Sequence, residues 1–232
     1  MEHSPDSVDF DRLEIYGQRI TDQNGSTVKV ELLTRLPKDF DYPSIESFFG
    51  ALTPQQTLEI TKAQIQAGAE FYAKTGIEAS INVDNSVLVE SELTEHLITF
   101  CERQTHPFTL EFTELKPMPP SSDINAIFFR LKQNGIKIAL DDFGTGFNGM
   151  STFADYDFDI IKLDRSLILG IQTRPQKLLI LKHVLDLADA LGKEHVVEGV
   201  ETQDQLDTLN ETGFRHYQGF LFNKPVPLKE LL

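Results

Sequence analysis

Cysteine occurs once in the 232 residues, at Cys101, so neither an internal disulfide nor a thiolate metal cage can form. Nothing else signals an oxidising compartment, and the expected location is cytoplasmic. Long apolar runs are missing too. The most apolar stretch, residues 178–191, is broken by Lys182, His183, Asp186 and Asp189 and cannot span a bilayer. Residues 1–10 are acidic and polar where a secretory signal needs a basic patch and an apolar core, so no membrane anchor is expected. Positive charge is scarce: 21 Lys and Arg stand against 36 Asp and Glu, a formal charge of -15. That field repels nucleic-acid backbones and anionic membranes, which makes polymeric DNA or RNA a poor partner. A small phosphate-bearing ligand stays open if a bound divalent cation reverses the local sign. His3, His96, His106, His183, His195 and His216 show no His-x-x-x-His spacing, which disfavours a zinc hydrolase. No phosphate-cradling Gly-x-x-x-x-Gly-Lys-Ser/Thr loop is present, and Gly144 with Gly146 is too weak a signal for a dinucleotide site.

What is there has the balance of a folded globular chain, 40% hydrophobic and 25% charged. The length suffices for one sizeable core. We expect a flexible segment over residues 1–10 and a single domain over residues 11–232. Strand-like runs occur at residues 13–20, 28–35, 79–83, 108–113, 137–140, 160–163, 195–197 and 215–219. Asn24 and Gly25 between the first two favour a tight antiparallel hairpin. Helical punctuation is clearest over residues 54–74, with Thr53 as N-cap, Pro54 at the first position, Gln56 completing a capping box and Gly76 as the stop. Residues 176–191 carry an apolar face of Leu178, Leu181, Leu185, Ala188 and Leu191. A proline-rich loop at 117–122 precedes a helix over 123–134. Strands separated by helices at these spacings predict an α/β fold, a TIM-like (β/α)8 barrel with an antiparallel first strand. Catalytic groups in such barrels sit at the C-terminal strand ends.

Those ends carry an unusual set: Glu31, Asn82, Glu111, Asp141 with Asp142, Lys162 with Asp164, Glu198 and Gln218. Any one acid taken alone is better read as a solvated loop residue or cap. Gathered at one barrel mouth, so many carboxylates could not all stay ionised without cations. Oxygen-rich ligation without histidine suits Mg²⁺ or Mn²⁺ better than zinc. A pair of such ions can lower the pKa of water and clamp an in-line phosphoryl transition state.

Four motifs then resemble one known family in order and spacing, the EAL-domain cyclic-di-GMP phosphodiesterases. They are Asp141 to Phe147 (DDFGTGF), Lys162 to Ser166 (KLDRS), Glu198 to Thr202 (EGVET), and Gln218 to Phe222 (QGFLF) followed by Pro225. Upstream, residues 81–84 resemble the family's asparagine strand, and residues 110–114 its paired-glutamate strand. Glu31, Leu32 and Leu33 stand where the signature tripeptide falls, with only the middle letter changed. The resemblance runs from about Tyr16 to the C-terminus. It implies hydrolysis of cyclic-di-GMP to linear 5'-pGpG with two divalent cations, Mg²⁺ or Mn²⁺, and a homodimer. It implies Glu31, Asn82, Glu111, Asp141, Asp142 and Glu198 as ligands of the metals or their water, and Lys162, Glu198 and Gln218 as catalytic groups. Glu198 could serve as base, metal ligand or both. Glu114 would anchor the loop after Asp142, Asp164 and Glu201 would support the site, and Leu33, Arg35 and Pro225 would meet substrate.

Departures from the family pattern carry expectations of their own. Leu32 replaces a small alanine, which predicts either a shifted Glu31 or a repacked barrel interior. Gly17 and Gln18 fall where the family has Gln-Pro, so one substrate contact is either lost or moved by one residue. Val197 replaces an alanine and Phe147 a tyrosine, both tolerable. The competing readings are a receptor that binds cyclic-di-GMP without cutting it, and a scaffold for another protein. The retained acids and lysine speak against both, since like charges are costly to hold together without metal chemistry.

Overall fold

The computed structural model describes residues 10–40, 42–115, 118–145 and 149–232. Of the expected flexible segment, only Phe10 lies among the described residues; Pro117 of the proline-rich loop and Phe147 of the motif after Asp142 lie outside them.

Two strands, β1 (Glu14–Asp22) and β2 (Thr27–Arg35), pair antiparallel. Their connection is wider than a two-residue turn. The Asp22 carboxylate accepts hydrogen bonds from the amides of Asn24 (2.8 Å) and Ser26 (2.9 Å), while Gly25 takes φ +80°. From β2 the chain runs through β3 (Glu78–Val83), β4 (Phe108–Thr113), β5 (Lys137–Phe143), β6 (Ile160–Leu163), β7 (Glu194–Val197) and β8 (His216–Gln218), each parallel to the last. β1 closes the ring by pairing antiparallel with β8, Ile20 opposite Gln218. The fold is a closed eight-stranded α/β barrel with its first strand reversed, as the spacing predicts. β5 continues three residues past its expected end at Leu140. A two-residue strand, β9 (Val226–Pro227), pairs with β1 at Tyr16 and Gly17 and was not foreseen, being too short to show periodicity.

The helices between strands are α1 (Ile45–Ala51), α2 (Pro54–Thr75), α3 (Ser91–Glu102), α4 (Ser121–Gln133), α5 (Gly149–Asp155), α6 (Arg165–Ile168), α7 (Pro175–Ala190) and α8 (Gln203–Thr212). α2 starts with the expected Thr53–Gln56 capping box and stops at Gly76 in the left-handed region. α8 uses the same device at Thr202 and Gln205. α7 buries Leu181, Val184, Leu185 and Ala188 against the sheet, whereas Leu191 falls past its end and is exposed.

Strand residues alternate between the barrel interior and the helix layer. Contacts that reach across non-neighbouring strands identify the inward set as three layers. At the bottom, Lys29 donates to Thr109 Oγ1 (3.1 Å) and lies near Glu194, which also pairs with Lys137. Ile20, Ala139, Ile160 and Val196 form a small apolar middle layer. Above them sit the polar strand ends. Leu32 belongs to the other set. It is fully buried but points outward to α2, where Gly68 leaves room: a Cβ there would lie 3.6 Å from Leu32 Cδ1 and 3.0 Å from the Ala79 Cβ. The extra bulk beside Glu31 therefore faces the helix layer and does not enter the barrel interior, which corrects the expectation of a repacked interior.

Candidate active site and metal centre

Lys162 organises the mouth of the barrel. It sits on β6 with its side chain 1% exposed. Its Nζ lies 2.8 Å from Glu111 Oε2, 2.9 Å from Glu198 Oε1, 3.0 Å from Asp141 Oδ1 and 3.5 Å from Glu31 Oε2. Glu31 is held from two sides, by Asn82 Nδ2 (2.9 Å) and by Gln218 Nε2 (2.5 Å). Strands β2 to β6, β8 and the end of β7 thus bring Glu31, Asn82, Glu111, Asp141, Lys162, Glu198 and Gln218 together.

Asp142 joins them through a break in strand geometry. Among the described residues it is the only non-glycine with positive φ, +57°, and the β5–β6 register slips between Leu140 and Phe143. A regular strand would send consecutive side chains to opposite faces. The left-handed turn instead lets Asp142 join Asp141 at the mouth, where Thr113 Oγ1 donates to its carboxylate (3.1 Å). Glu114 fixes the turn beyond Asp142: its amide donates to Asp141 O (3.1 Å) and its Oε2 accepts from the Gly144 amide (3.0 Å). Asp164 caps α6 through the Ser166 amide (2.8 Å), and Glu201 pairs with Arg165. Neither of these two acids touches the Lys162 cluster directly.

Two carboxylate triads have oxygens within 4.8 Å of one another, Glu31 with Glu111 and Asp141, and Asp141 with Asp142 and Glu198. Asp141 belongs to both. One ammonium cannot neutralise so many acids, and their proton affinities show it. Burial, with repulsion from Glu31 and Asp141, pushes the Glu111 carboxyl up to about 8 despite Lys162. Burial and the charges of Asp141 and Glu31 likewise raise Glu198 well above the usual range. Burial and Asp141 raise Asp142. Glu31 goes the other way: burial opposes its ionisation, but Lys162 and the amides of Gln218 and Asn82 outweigh it. Burial also disfavours a charged Lys162, yet the surrounding acids hold its pKa far above the ordinary value. Glu111 Oε1 and Gln218 Oε1 are buried with no hydrogen-bond partner among the described residues. Oxygen donors with spare lone pairs and unmet negative charge fit a hard divalent cation.

Two cavities flank the cluster and share Leu33. The larger, about 440 Å³, reaches Asn82 and Glu111 and includes Arg35 in a mainly apolar wall from β2, α1 and α2. The smaller, about 260 Å³, reaches Glu31, Glu198 and Gln218. Pro225 lines neither. Gln18, a mouth residue the sequence left ambiguous, lines the smaller cavity, accepting from Gln218 Nε2 (3.2 Å) and donating to Asn223 O (3.2 Å). Gly17 faces the other way, where a Cβ would strike Leu231 and Val30 at 2.6 and 2.8 Å. Of the two alternatives for this pair, the glutamine amide is present one residue later. Thr113, Arg165 and Phe220 also stand at the mouth; they lie inside the motifs of the sequence but were given no role there, because their contacts with Asp142, Glu201 and the smaller cavity exist only in the fold.

Comparison with known proteins agrees with this architecture. The chain is 36% identical over 160 residues to PdeG of Escherichia coli K12, named a probable cyclic di-GMP phosphodiesterase, covering 68% of this chain and 32% of that one. The crystal structure of an EAL domain protein from Listeria monocytogenes EGD-e superposes with TM-score 0.87 at 23% identity, covering 100% of this chain and 97% of that one. A standalone versatile EAL protein from Vibrio cholerae O395, solved in its c-di-GMP-bound form, gives TM-score 0.79 at 26% identity over 94% of each chain. The chain spans less than half the length of the curated relatives it matches. No helix among the described residues is long and apolar enough to cross a membrane. With the EAL domain model matching residues 5–225, the chain belongs to the EAL domain family.

Proposed function

We propose that the chain is a metal-dependent phosphodiesterase that opens cyclic-di-GMP to linear 5'-pGpG, acting in the cytoplasm as a homodimer of single-domain barrels over residues 11–232. The observation that carries this is Asp141 standing in two carboxylate triads around one buried lysine. Glu31, Asn82, Glu111 and Asp141 would hold one Mg²⁺ or Mn²⁺, and Asp141, Asp142 and Glu198 the other. Bound there, such ions supply a nucleophile at neutral pH and neutralise the phosphate. The names of the cyclic-di-GMP phosphodiesterase relative and of the nucleotide-bound neighbour support the choice of substrate.

The chain's own groups have distinct tasks. Lys162 keeps a fixed positive charge beside the reacting phosphoryl group, in a buried setting where it acts more strongly than in water. Glu198 would serve as a ligand of the second ion, its carboxylate fixed by Lys162 Nζ 2.9 Å from Oε1. Asn82 and Gln218 orient the Glu31 carboxylate, so its lone pairs point where a cation is needed. Two cavities that meet at Leu33 and both reach the cluster suit a ligand with two bases joined through its phosphates. The test is purified protein with Mg²⁺ or Mn²⁺, scored for linear pGpG by chromatography. Chelation should stop product formation, and Glu31→Ala or Asp142→Ala should abolish turnover while the barrel stays folded. Tight binding with no product in the presence of metal would instead identify a receptor.

A further inference from the structure

Helix α2 buries a polar stripe where an apolar one would pack as well. Thr57, Thr61 and Gln64 recur at helical spacing and are 3%, 2% and 4% exposed, on the same helix that buries Leu58, Ile65 and Phe71. Buried hydroxyls and amides almost always meet hydrogen-bond partners, so the partners show what the stripe is for. Thr57 serves its own helix, donating to Pro54 O (2.8 Å). The other two reach the barrel. Thr61 Oγ1 donates to Asn82 O (3.3 Å), and Gln64 Nε2 donates to Leu32 O and to Thr34 Oγ1 (3.2 Å each).

Those acceptors lie at a fork in the sheet. β2 stays paired with β1 as far as Arg35, and β3 with β4 as far as Val83, but β2 and β3 pair with each other only as far as Leu32 and Ile81. Asn82 is the first residue of its strand past that ladder, yet its Nδ2 must cross to Glu31 Oε1 on the other prong, a bond of 2.9 Å. Beyond Ile81 no ladder pair sets the angle between the prongs. Thr61 ties one prong and Gln64 the other to a single rigid helix. We propose that Thr61 and Gln64 are positioning residues for the metal centre, fixing the spread of the β2–β3 fork and through it the Glu31–Asn82 pair. The inference rests on that pair holding a divalent cation, and it makes a helix outside the barrel a determinant of the cation's affinity.

The experiment titrates Mn²⁺ by calorimetry, without nucleotide, into the parent, Thr61→Val, Thr61→Ser, Gln64→Leu and Thr57→Val, with thermal unfolding in chelator alongside. Loss of a group that orients a metal ligand weakens binding by about 10–100-fold. Thr61→Val, which keeps the side-chain shape and deletes only the hydroxyl, should show that loss at one of two sites, and so should Gln64→Leu. Thr61→Ser restores the donor and should keep the parental affinity. Thr57→Val deletes an equally buried hydroxyl from the same face and controls for loosened packing: its Mn²⁺ affinity should stay parental whatever its melting temperature. Parental affinity in Thr61→Val or in a folded Gln64→Leu, or an equal loss in Thr57→Val, would overturn the proposal. If the parent itself takes up no Mn²⁺, the metal reading fails, and the Asn82 side-chain amide resonance in ¹⁵N NMR decides this one. A shift in Thr61→Val and Gln64→Leu that Thr57→Val lacks upholds it, and an unmoved resonance sinks it.

Discussion

Replacing Lys162 by methionine removes the one ammonium inside a ring of acids while keeping most of the side-chain volume. Its Nζ has three carboxylate oxygens at 2.8 to 3.0 Å and a fourth at 3.5 Å. Breaking a buried pair by deleting one partner costs about 3–5 kcal/mol, since the charge left behind has nothing to offset it. In a chain of this length each kcal/mol moves the melting temperature by about 2–4 °C, so the metal-free variant should melt about 6–20 °C below the parent. Divalent cation can replace the missing charge. At about a hundredfold excess over Kd it returns about 2.7 kcal/mol, so Mn²⁺ should raise the variant's melting temperature more than the parent's. Turnover should stay about a hundred- to a thousandfold low even with metal bound, as when one preorganised electrostatic donor is removed. The assay is thermal unfolding followed by circular dichroism, with chelator and with Mn²⁺, alongside nucleotide hydrolysis. A variant that melts within about 2 °C of the parent in chelator, and gains no more from Mn²⁺, would refute the idea that Lys162 holds the acids in place.

Three further outcomes rest on the same geometry. Glu111 has its carboxyl raised from 4.5 to about 8 in the fold, so the native state keeps a proton that the unfolded chain releases. Its stabilising contribution in chelator should be complete below 4.5 and lost as pH rises through about 8, a slope in melting temperature that Mn²⁺ should remove. His195 is buried against Phe214 with both ring nitrogens unpartnered among the described residues, and burial lowers its pKa below 6.5. The stability of its neutral form is present above 6.5 and lost as pH falls through the folded value, so His195→Leu should flatten the acid limb of a melting-versus-pH curve. Leu32→Ala should cost about 2–5 kcal/mol by denaturant titration through the cavity left beside α2, yet leave kcat of the folded protein unchanged. A fall in kcat would mean that the residue positions Glu31 after all.

The barrel was legible because parallel strands buried on both faces and helices with caps such as Thr53–Gln56 write their periods plainly. Strand ends were less so. The sequence stopped β5 at Leu140, since Asp141 and Asp142 break the apolar run, whereas backbone pairing carries on to Phe143. The strand-end acids could be named from their position alone, but the Asp142 backbone conformation that aims the pair could not. Leu32 misled because alternation leaves one bit of information, inward or outward, and the bulk of a neighbour does not set it. Its outward placement depends on Gly68, 36 residues away in sequence and in contact only after folding. Gln18 and Arg165 meet Gln218 and Glu201 only in the fold, and such partnerships between distant segments cannot be read from either residue alone.

The reversed first strand has a consequence for how the protein comes into being. β1 meets β8 across some two hundred positions, Ile20 with Gln218, and Gln18 grips the same glutamine side chain that steadies Glu31. Closing a ring through its two most distant segments is slow, because the chain surrenders loop entropy before that contact rewards it. The reactive mouth is therefore incomplete until Gln218 is in place against β1, so the first strand cannot take its final partners before β8 has been synthesised.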